Sequence, residues 1–181
     1  IGVLVKDSPS NIIGGVTGLS TQGCAGDCNV ISGNGTGVRI EGVLAEQNRV
    51  LGNFIGTTGD RRARLPNHGD GIEIAGAPNN TIGGTLESGF NIIAGNDGRG
   101  IRIDGQAATG NVVQGNYIGT NPIGLPALPN DEDGILINGA PANFIGGGTF
   151  ETRNVIAGNA KNGIWITGAD ASGNHVAGNL I

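Results

Sequence analysis

The sequence predicts an all-β fold: a parallel β-helix, or solenoid, of about six coils with three parallel sheets and two coils in each 63-residue repeat. Three observations predict it. Glycine takes 37 of 181 positions, about a fifth against roughly 7% in average proteins, without the every-third-residue spacing of collagen. Short units return at a fixed distance: DGIEIAGAP at residues 70–78 comes back as DGILINGAP at residues 133–141, 63 positions later. The units are β-branched and alternating and are bounded by Gly or Asn, a strand pattern with no helical periodicity over any long window. Strands this short cannot bury a face alone, so they must stack on copies of themselves.

The units sort into three strand types. The first is GVLV (2–5), GVRI (37–40), GIEI (71–74), GIRI (100–103), GILI (134–137) and GIWI (163–166). The second is NIIGG (11–15), NRVLG (48–52), NTIGG (80–84), NVVQG (111–115), NFIGG (143–147) and NHVAG (174–178). The third is NVISG (29–33), NFIGT (53–57), NIIAG (91–95), NYIGT (116–120), NVIAG (154–158) and NLI (179–181). Stacking like on like gives three parallel sheets around a narrow prism, with neighbouring strands about 4.8 Å apart.

Alternation then assigns the interior. The first sheet points Val3, Val38, Ile72, Ile101, Ile135 and Ile164 inward, with Val5, Ile40, Ile74, Ile103, Ile137 and Ile166 two residues on. The second contributes Ile13, Val50, Ile82, Val113, Ile145 and Val176, and the third Ile31, Ile55, Ile93, Ile118, Ile156 and Ile181. Every one is Val or Ile, and burial of each is worth roughly 1.5–3 kcal/mol before chain entropy is subtracted. Glycine and asparagine fall at the corners, where bends and positive φ are needed. Stacked Asn side chains can hydrogen-bond from coil to coil, as in other ladders.

Composition excludes several classes of function. A net charge of −5 and a pI near 4.8 disfavour a nucleic-acid partner, which wants a basic stripe. No apolar run approaches the roughly 18 residues of a membrane-spanning helix. Ile1 falls at the edge of a patterned segment, so residues 1–181 are expected to be a single solenoid domain excised from a longer modular protein. Cys24 and Cys28 sit in one loop as CAGDC. A local disulfide is expected if the protein is secreted, and two free thiols are the alternative. Zinc is disfavoured for want of two further ligands.

This pattern resembles the right-handed parallel β-helix repeat proteins of the pectin-lyase-like superfamily, over essentially the whole chain. The resemblance implies the right-handed coil, in agreement with the rule for parallel crossovers. It also implies a choice of activities: polysaccharide lyase, hydrolase or epimerase, adhesin stalk, or β-helical carbohydrate-binding module. In such enzymes substrate lies along the first sheet, in a groove walled by loops.

Function must then sit on outward residues and loops. The first sheet's outward row is Leu4, Arg39, Glu73, Arg102, Leu136 and Trp165. Arg39, Glu73 and Arg102 alternate in sign. They read either as a cross-strand ion-pair ladder or as a sugar-binding face on which Trp165 stacks. Residues 58–70 and 121–133 lead from the third sheet into the first and are expected to wall that face, bringing Asp60, Arg61, Arg62, His68, Asp70, Asp131 and Asp133 beside it, with Asp104 on the sheet. Alternatively Leu65, Pro66, Leu125, Pro126, Leu128 and Pro129 tether the loops by packing back on the coil. The third sheet's outward row, Val30, Phe54, Ile92, Tyr117, Val155 and Leu180, is expected to be covered by loops carrying Leu19, Leu86, Phe90 and Phe150.

Arg39 or Arg102 could imitate a lyase's arginine base, but adjacent first-sheet carboxylates are missing, and only Asp104 and Glu41 come near. The several acids of a polygalacturonase are missing too. No His–carboxylate pair is evident at His68 or His175. Asp131 and Asp133 are weak calcium candidates in an acidic run that otherwise reads as solvated. The expected function is a non-catalytic, secreted or cell-surface carbohydrate-binding module, of bacterial type, for xylan or another hemicellulose, accessory to a glycanase. Its expected ligand residues are Arg39, Glu73, Arg102, Trp165, Asp104, His68, Asp70 and Asp133, with no required cofactor. The alternatives are a lyase or epimerase and a ligand-free structural or adhesin repeat. End-to-end or side-by-side self-association is expected from strand edges left open.

Overall fold

The structure, a computed structural model, describes residues 1–17, 19–20, 23–85, 89–122 and 127–181, with Leu19 and Ser20 described by backbone alone. It is an all-β parallel solenoid. The first sheet stacks Val3–Lys6, Val38–Glu41, Ile72–Ala75, Ile101–Asp104, Ile135–Asn138 and Ile164–Thr167, in that order. The second stacks Ile12–Gly14, Arg49–Leu51, Thr81–Ile82, Val112–Val113, Phe144–Gly146 and His175–Ala177. The third stacks Val30–Ile31, Phe54–Ile55, Ile92–Ile93, Tyr117–Ile118 and Val155–Ile156. All three pair in parallel with like residue on like, as in Val38↔Ile72, Val50↔Ile82 and Ile55↔Ile93.

Five turns are complete. The sixth has its first two strands, but the strand expected at 179–181 reduces to an isolated bridge between Val155 and Leu180. Ile181 is the last residue of the sequence, so only one rung of that ladder forms. Two short strands, Leu19–Ser20 and Gly23–Cys24, pair antiparallel outside the three stacked sheets. Cys24 and Cys28 form a disulfide there. No helix of the described residues is long and apolar enough to cross a membrane.

The expected interior is the observed one along most of the stack. From Val38 to Ile145 the inward side chains are at most 1% exposed, and Ile156 is 2% exposed. They form one continuous cluster. Correction is needed at the last coil: Ile166, Val176 and Ile181 are 40%, 40% and 68% exposed, because no seventh coil lies on them.

Asparagine ladders border this core. Asn48, Asn80, Asn111 and Asn143 run along the start of the second sheet, and Asn53, Asn91, Asn116 and Asn154 along the start of the third; all are fully buried. In each ladder the Oδ1 of one coil accepts the backbone N–H and the Nδ2–H of the Asn one coil earlier, as from Asn48 to Asn80 (2.9 and 3.0 Å) and from Asn111 to Asn143 (2.9 and 3.0 Å). A third ladder, Asn34, Asn67, Asn96, Asn130 and Asn159, lies outside the strand units. Each buried amide is thereby satisfied, as burial requires.

A second apolar cluster covers the middle of the third sheet's outward face: Phe54, Ile92, Ala94 and Leu128, with Cys24, Cys28, Phe90 and Tyr117 against it; the expected cover does not reach the ends of the row, where Val30 and Leu180 are exposed. Phe90 meets Tyr117 edge-on, ring centroids 5.4 Å apart, a favoured aromatic geometry. Of the expected cover, Phe90 serves. Phe150 does not: it is 61% exposed and stacks under the Arg153 guanidinium. The Leu19 side chain and Leu86 lie outside the described residues. Burial under this cover raises the Tyr117 pKa above its ordinary 10.0, since desolvation disfavours the phenolate. Tyr117 is the sole tyrosine. Tyrosinate absorbance should therefore show one transition above pH 10, falling back to the ordinary value on unfolding; a normal midpoint in the native protein would mean that the cover is open.

Candidate functional site

The first sheet presents two outward rows, in register across all six strands. One is Leu4, Arg39, Glu73, Arg102, Leu136 and Trp165; the other is Lys6, Glu41, Ala75, Asp104, Asn138 and Thr167. A further row lies in the turn just before each strand's opening glycine, and runs Asp70, Arg99, Asp133 and Asn162.

These rows are knitted by one chain of ion pairs. Lys6 Nζ meets Glu41 at 2.9 Å, and Arg39 bridges Glu41 (2.6 Å) and Glu73 (3.2 Å). Arg102 holds Glu73 from the other side and reaches Asp70 at 3.0 Å. Arg99 links Asp70 (3.7 Å), Asp133 (3.4 Å) and Glu132 (2.7 Å), and Lys161 closes on Glu132 at 3.1 Å. Five cations thus meet five carboxylates, so the face is close to neutral. Glu73 is 4% exposed; a carboxylate that deep needs its two guanidinium partners. The Lys6 hydrogen bond, with the nearby positive charge, holds Glu41 below the ordinary carboxylate pKa.

The C-terminal part of the face differs. Leu136 is buried, and the Trp165 indole beside it is 44% exposed. In the adjacent row Asn138 Nδ2 donates to Asp104 Oδ1 at 2.7 Å, with Thr167 next in line. A flat apolar ring thus borders a row of hydroxyl, amide and carboxylate groups.

The structure therefore brings Arg39, Glu73, Arg102 and Asp70 together, attaches Asp133 through Arg99, and sets Asp104 and Trp165 on the same face. His68 stands apart, its Nδ1 3.0 Å from Asp97 Oδ2, so a His–carboxylate pair does exist, though well exposed. Asp131 accepts both Arg64 Nη1 and Nη2 at 2.9 Å, a fork that raises the Arg64 pKa. Asp133 is fully buried against Arg99 and Asn162. The two calcium candidates thus serve different partners, and among the described residues no group of three or more His, Cys, Asp or Glu could hold a metal ion.

The loop wall expected beside this face needs correction. Thr57 pairs antiparallel with Arg64, and the Arg61 guanidinium lies 5.4 Å over the Phe54 ring. The 58–64 turn therefore folds over the third sheet, as Leu128 of the later loop does. The physical reason is the exposed apolar row there, which offers more burial than the charged first sheet. Asp60 is engaged within its own turn, where the Thr58 hydroxyl lowers its pKa. Leu65, expected to tether, is 46% exposed; Leu125 and Pro126 lie outside the described residues.

Sequence reasoning missed Arg99, Glu132 and Lys161 as network members, and of the second row it named only Glu41 and Asp104, without placing them in one row with Lys6, Ala75, Asn138 and Thr167. Counting back from each repeated glycine would have aligned the turn residues, and reading every second residue past Arg39 and Arg102 would have found the row. No protein-family model matches the chain, and no curated protein matches it.

Proposed function

We propose that this chain is a non-catalytic, extracellular carbohydrate-binding module. It takes a neutral plant polysaccharide, xylan or another hemicellulose, along the outer face of the first sheet, as accessory to a glycanase. The observation that carries this reading is the exposed Trp165 indole aligned beside Asp104, Asn138 and Thr167. An apolar ring with a few placed polar groups is the chemistry a pyranose asks for, stacking on one face and hydroxyls at the rim. Charge balance along the rest of the face favours a neutral polymer over a polyuronate. The Cys24–Cys28 disulfide fits an oxidising compartment, and the solenoid architecture resembles pectin-lyase-like proteins at the level of fold alone.

Affinity electrophoresis in gels containing soluble xylan or other hemicelluloses tests it, with the emission of the sole tryptophan as a second readout. Retardation and a shifted Trp165 emission are expected. Trp165→Ala should weaken binding at least about tenfold, the loss of one good stacking contact, and Asn138→Ala less. No retardation on any polysaccharide, with emission unmoved, would remove the reading. A ligand-free structural or adhesin repeat would then take its place; the ion chain, in which Glu41, Glu73, Asp70, Asp133 and Glu132 each have a cationic partner, already favours that second reading.

A further inference from the structure

The second sheet's outer face belongs neither to the ion chain nor to the aromatic cover. Its outward row, in register from strand to strand, is Ile12, Arg49, Thr81, Val112, Phe144 and His175. None of the 15 Asp and Glu stands in that row. The chain carries a net charge of −5, so two copies repel over most of their surface. Along this row they can approach without carboxylate facing carboxylate.

Two members of the row lack the partners their chemistry calls for. Among the ten Lys and Arg, each one but Arg49 either meets a carboxylate or lies over a phenylalanine ring. Arg49 is exposed and has neither among the described residues. Phe144 is 48% exposed, although Val112 and His175 flank it on the neighbouring strands. Its exposure is therefore outward from the sheet. The chain twice solves both problems at once by setting a guanidinium over a ring: Arg61 over Phe54 at 5.4 Å and Arg153 over Phe150 at 4.3 Å. Arg49 and Phe144 cannot do so within one copy, because Thr81 and Val112 stand between them.

We propose that two copies of this chain pair face to face through their second sheets, with coil order reversed, around two Arg49–Phe144 contacts. A two-fold axis that runs along the strands, midway between Thr81 and Val112, sets Arg49 of each copy opposite Phe144 of the other and Thr81 opposite Val112. Sheets packed face to face stand about 10 Å apart. That brings an outward guanidinium within the roughly 6 Å at which a ring attracts it. The other two-fold axis, along the solenoid, sets Arg49 on Arg49, and like charges directly opposite are unfavourable. Charge thus selects the first arrangement. It is isologous and closes at two copies. It is independent of whether the first sheet binds a glycan, because the two faces are different.

Sedimentation equilibrium of the chain over a concentration series up to about 1 mM tests it. The mass is expected to rise from one protomer to two and stop there. Strands of two or three residues make a face narrower than the roughly 800 Å² per partner of a standard interface, so a dissociation constant of about 10–100 μM is expected. Phe144→Arg sets cation on cation twice and should raise it at least about 100-fold, with the circular dichroism spectrum native because the position faces outward. Arg49→Ala, which introduces no new group, should raise it at least about tenfold. Adding Arg49→Phe to Phe144→Arg exchanges the two partners and should return the constant to within about tenfold of the native one. Under the other axis the same double variant keeps cation on cation. A monomer at about 1 mM, a mass that climbs past two, association unmoved by both single variants, or a double variant that stays monomeric would each overturn the proposal.

Discussion

Asn116→Ala is expected to lower the free energy of unfolding by about 3–5 kcal/mol, seen as an earlier midpoint in urea. The side chain is fully buried. Its Nδ2 donates to Ile82 O, Gln114 O and Asn154 Oδ1, all at 3.0 Å, and its Oδ1 accepts from Asn91 Nδ2 at 2.9 Å and from Asn91 N at 3.4 Å. Truncation strands two buried donors on Asn91, each costing about 1–3 kcal/mol, and leaves a cavity besides. Asn116→Asp keeps the shape but turns the donor edge into an acceptor facing two carbonyl oxygens. It should cost at least as much. Asn11→Ala is the control: the same residue type in the second-sheet ladder, but at its exposed end, where water replaces the lost bonds and the cost is about 1 kcal/mol or less. Equal costs at Asn116 and Asn11 would show that the ladders do not act as a buried network.

The second large effect is Gly83→Ala, expected to cost about 3 kcal/mol or more. Gly83 has φ +90°, where a β-carbon costs about 1–2 kcal/mol by itself. A β-carbon there would also overlap the Gln114 carbonyl oxygen and stand 2.5 Å from Asn116 Oδ1. Neither group can retreat, since one is backbone of the next coil and the other is a ladder member. Gly33→Ala separates the two causes. Its φ is +76°, yet nothing lies within 4 Å of the β-carbon, so only the backbone strain of about 1–2 kcal/mol remains. Thermal melts of the two variants should differ accordingly; indistinguishable melts would mean that the coils do not pack as closely at Gly83 as the structure has them.

Both predictions concern residues whose part was visible early. Asparagine at the start of each second and third unit, and glycine at the corners, read directly from the repeat. The third ladder did not, because its members lie outside the strand units, although Asn67, Asn96, Asn130 and Asn159 each stand four residues before the glycine that opens the next first-sheet strand and Asn34 stands three before Gly37. The alternation of Arg39, Glu73 and Arg102 was legible as a row, and the structure joins it by ion pairs. Arg99 was missed although it stands, like Asp70 and Asp133, directly before a repeated glycine; what the repeat does not record is its pairing with Glu132, which depends on how the turn closes. Arg61 was assigned to a groove wall and instead lies over Phe54, because a loop's composition does not say which of two adjacent faces it folds onto.

By itself, then, the sequence determined the coil: its period, its three sheets, its Val and Ile interior and the register of like on like. Side-chain alternation along a strand is a local steric property, and a repeat transmits it unchanged from coil to coil. Only the tertiary structure decided which loops cover the third sheet, which carboxylates are spent on guanidinium groups and which polar groups stay open beside Trp165. Those outcomes turn on competition between burial and charge pairing, much of it among residues of different coils, which no local pattern records.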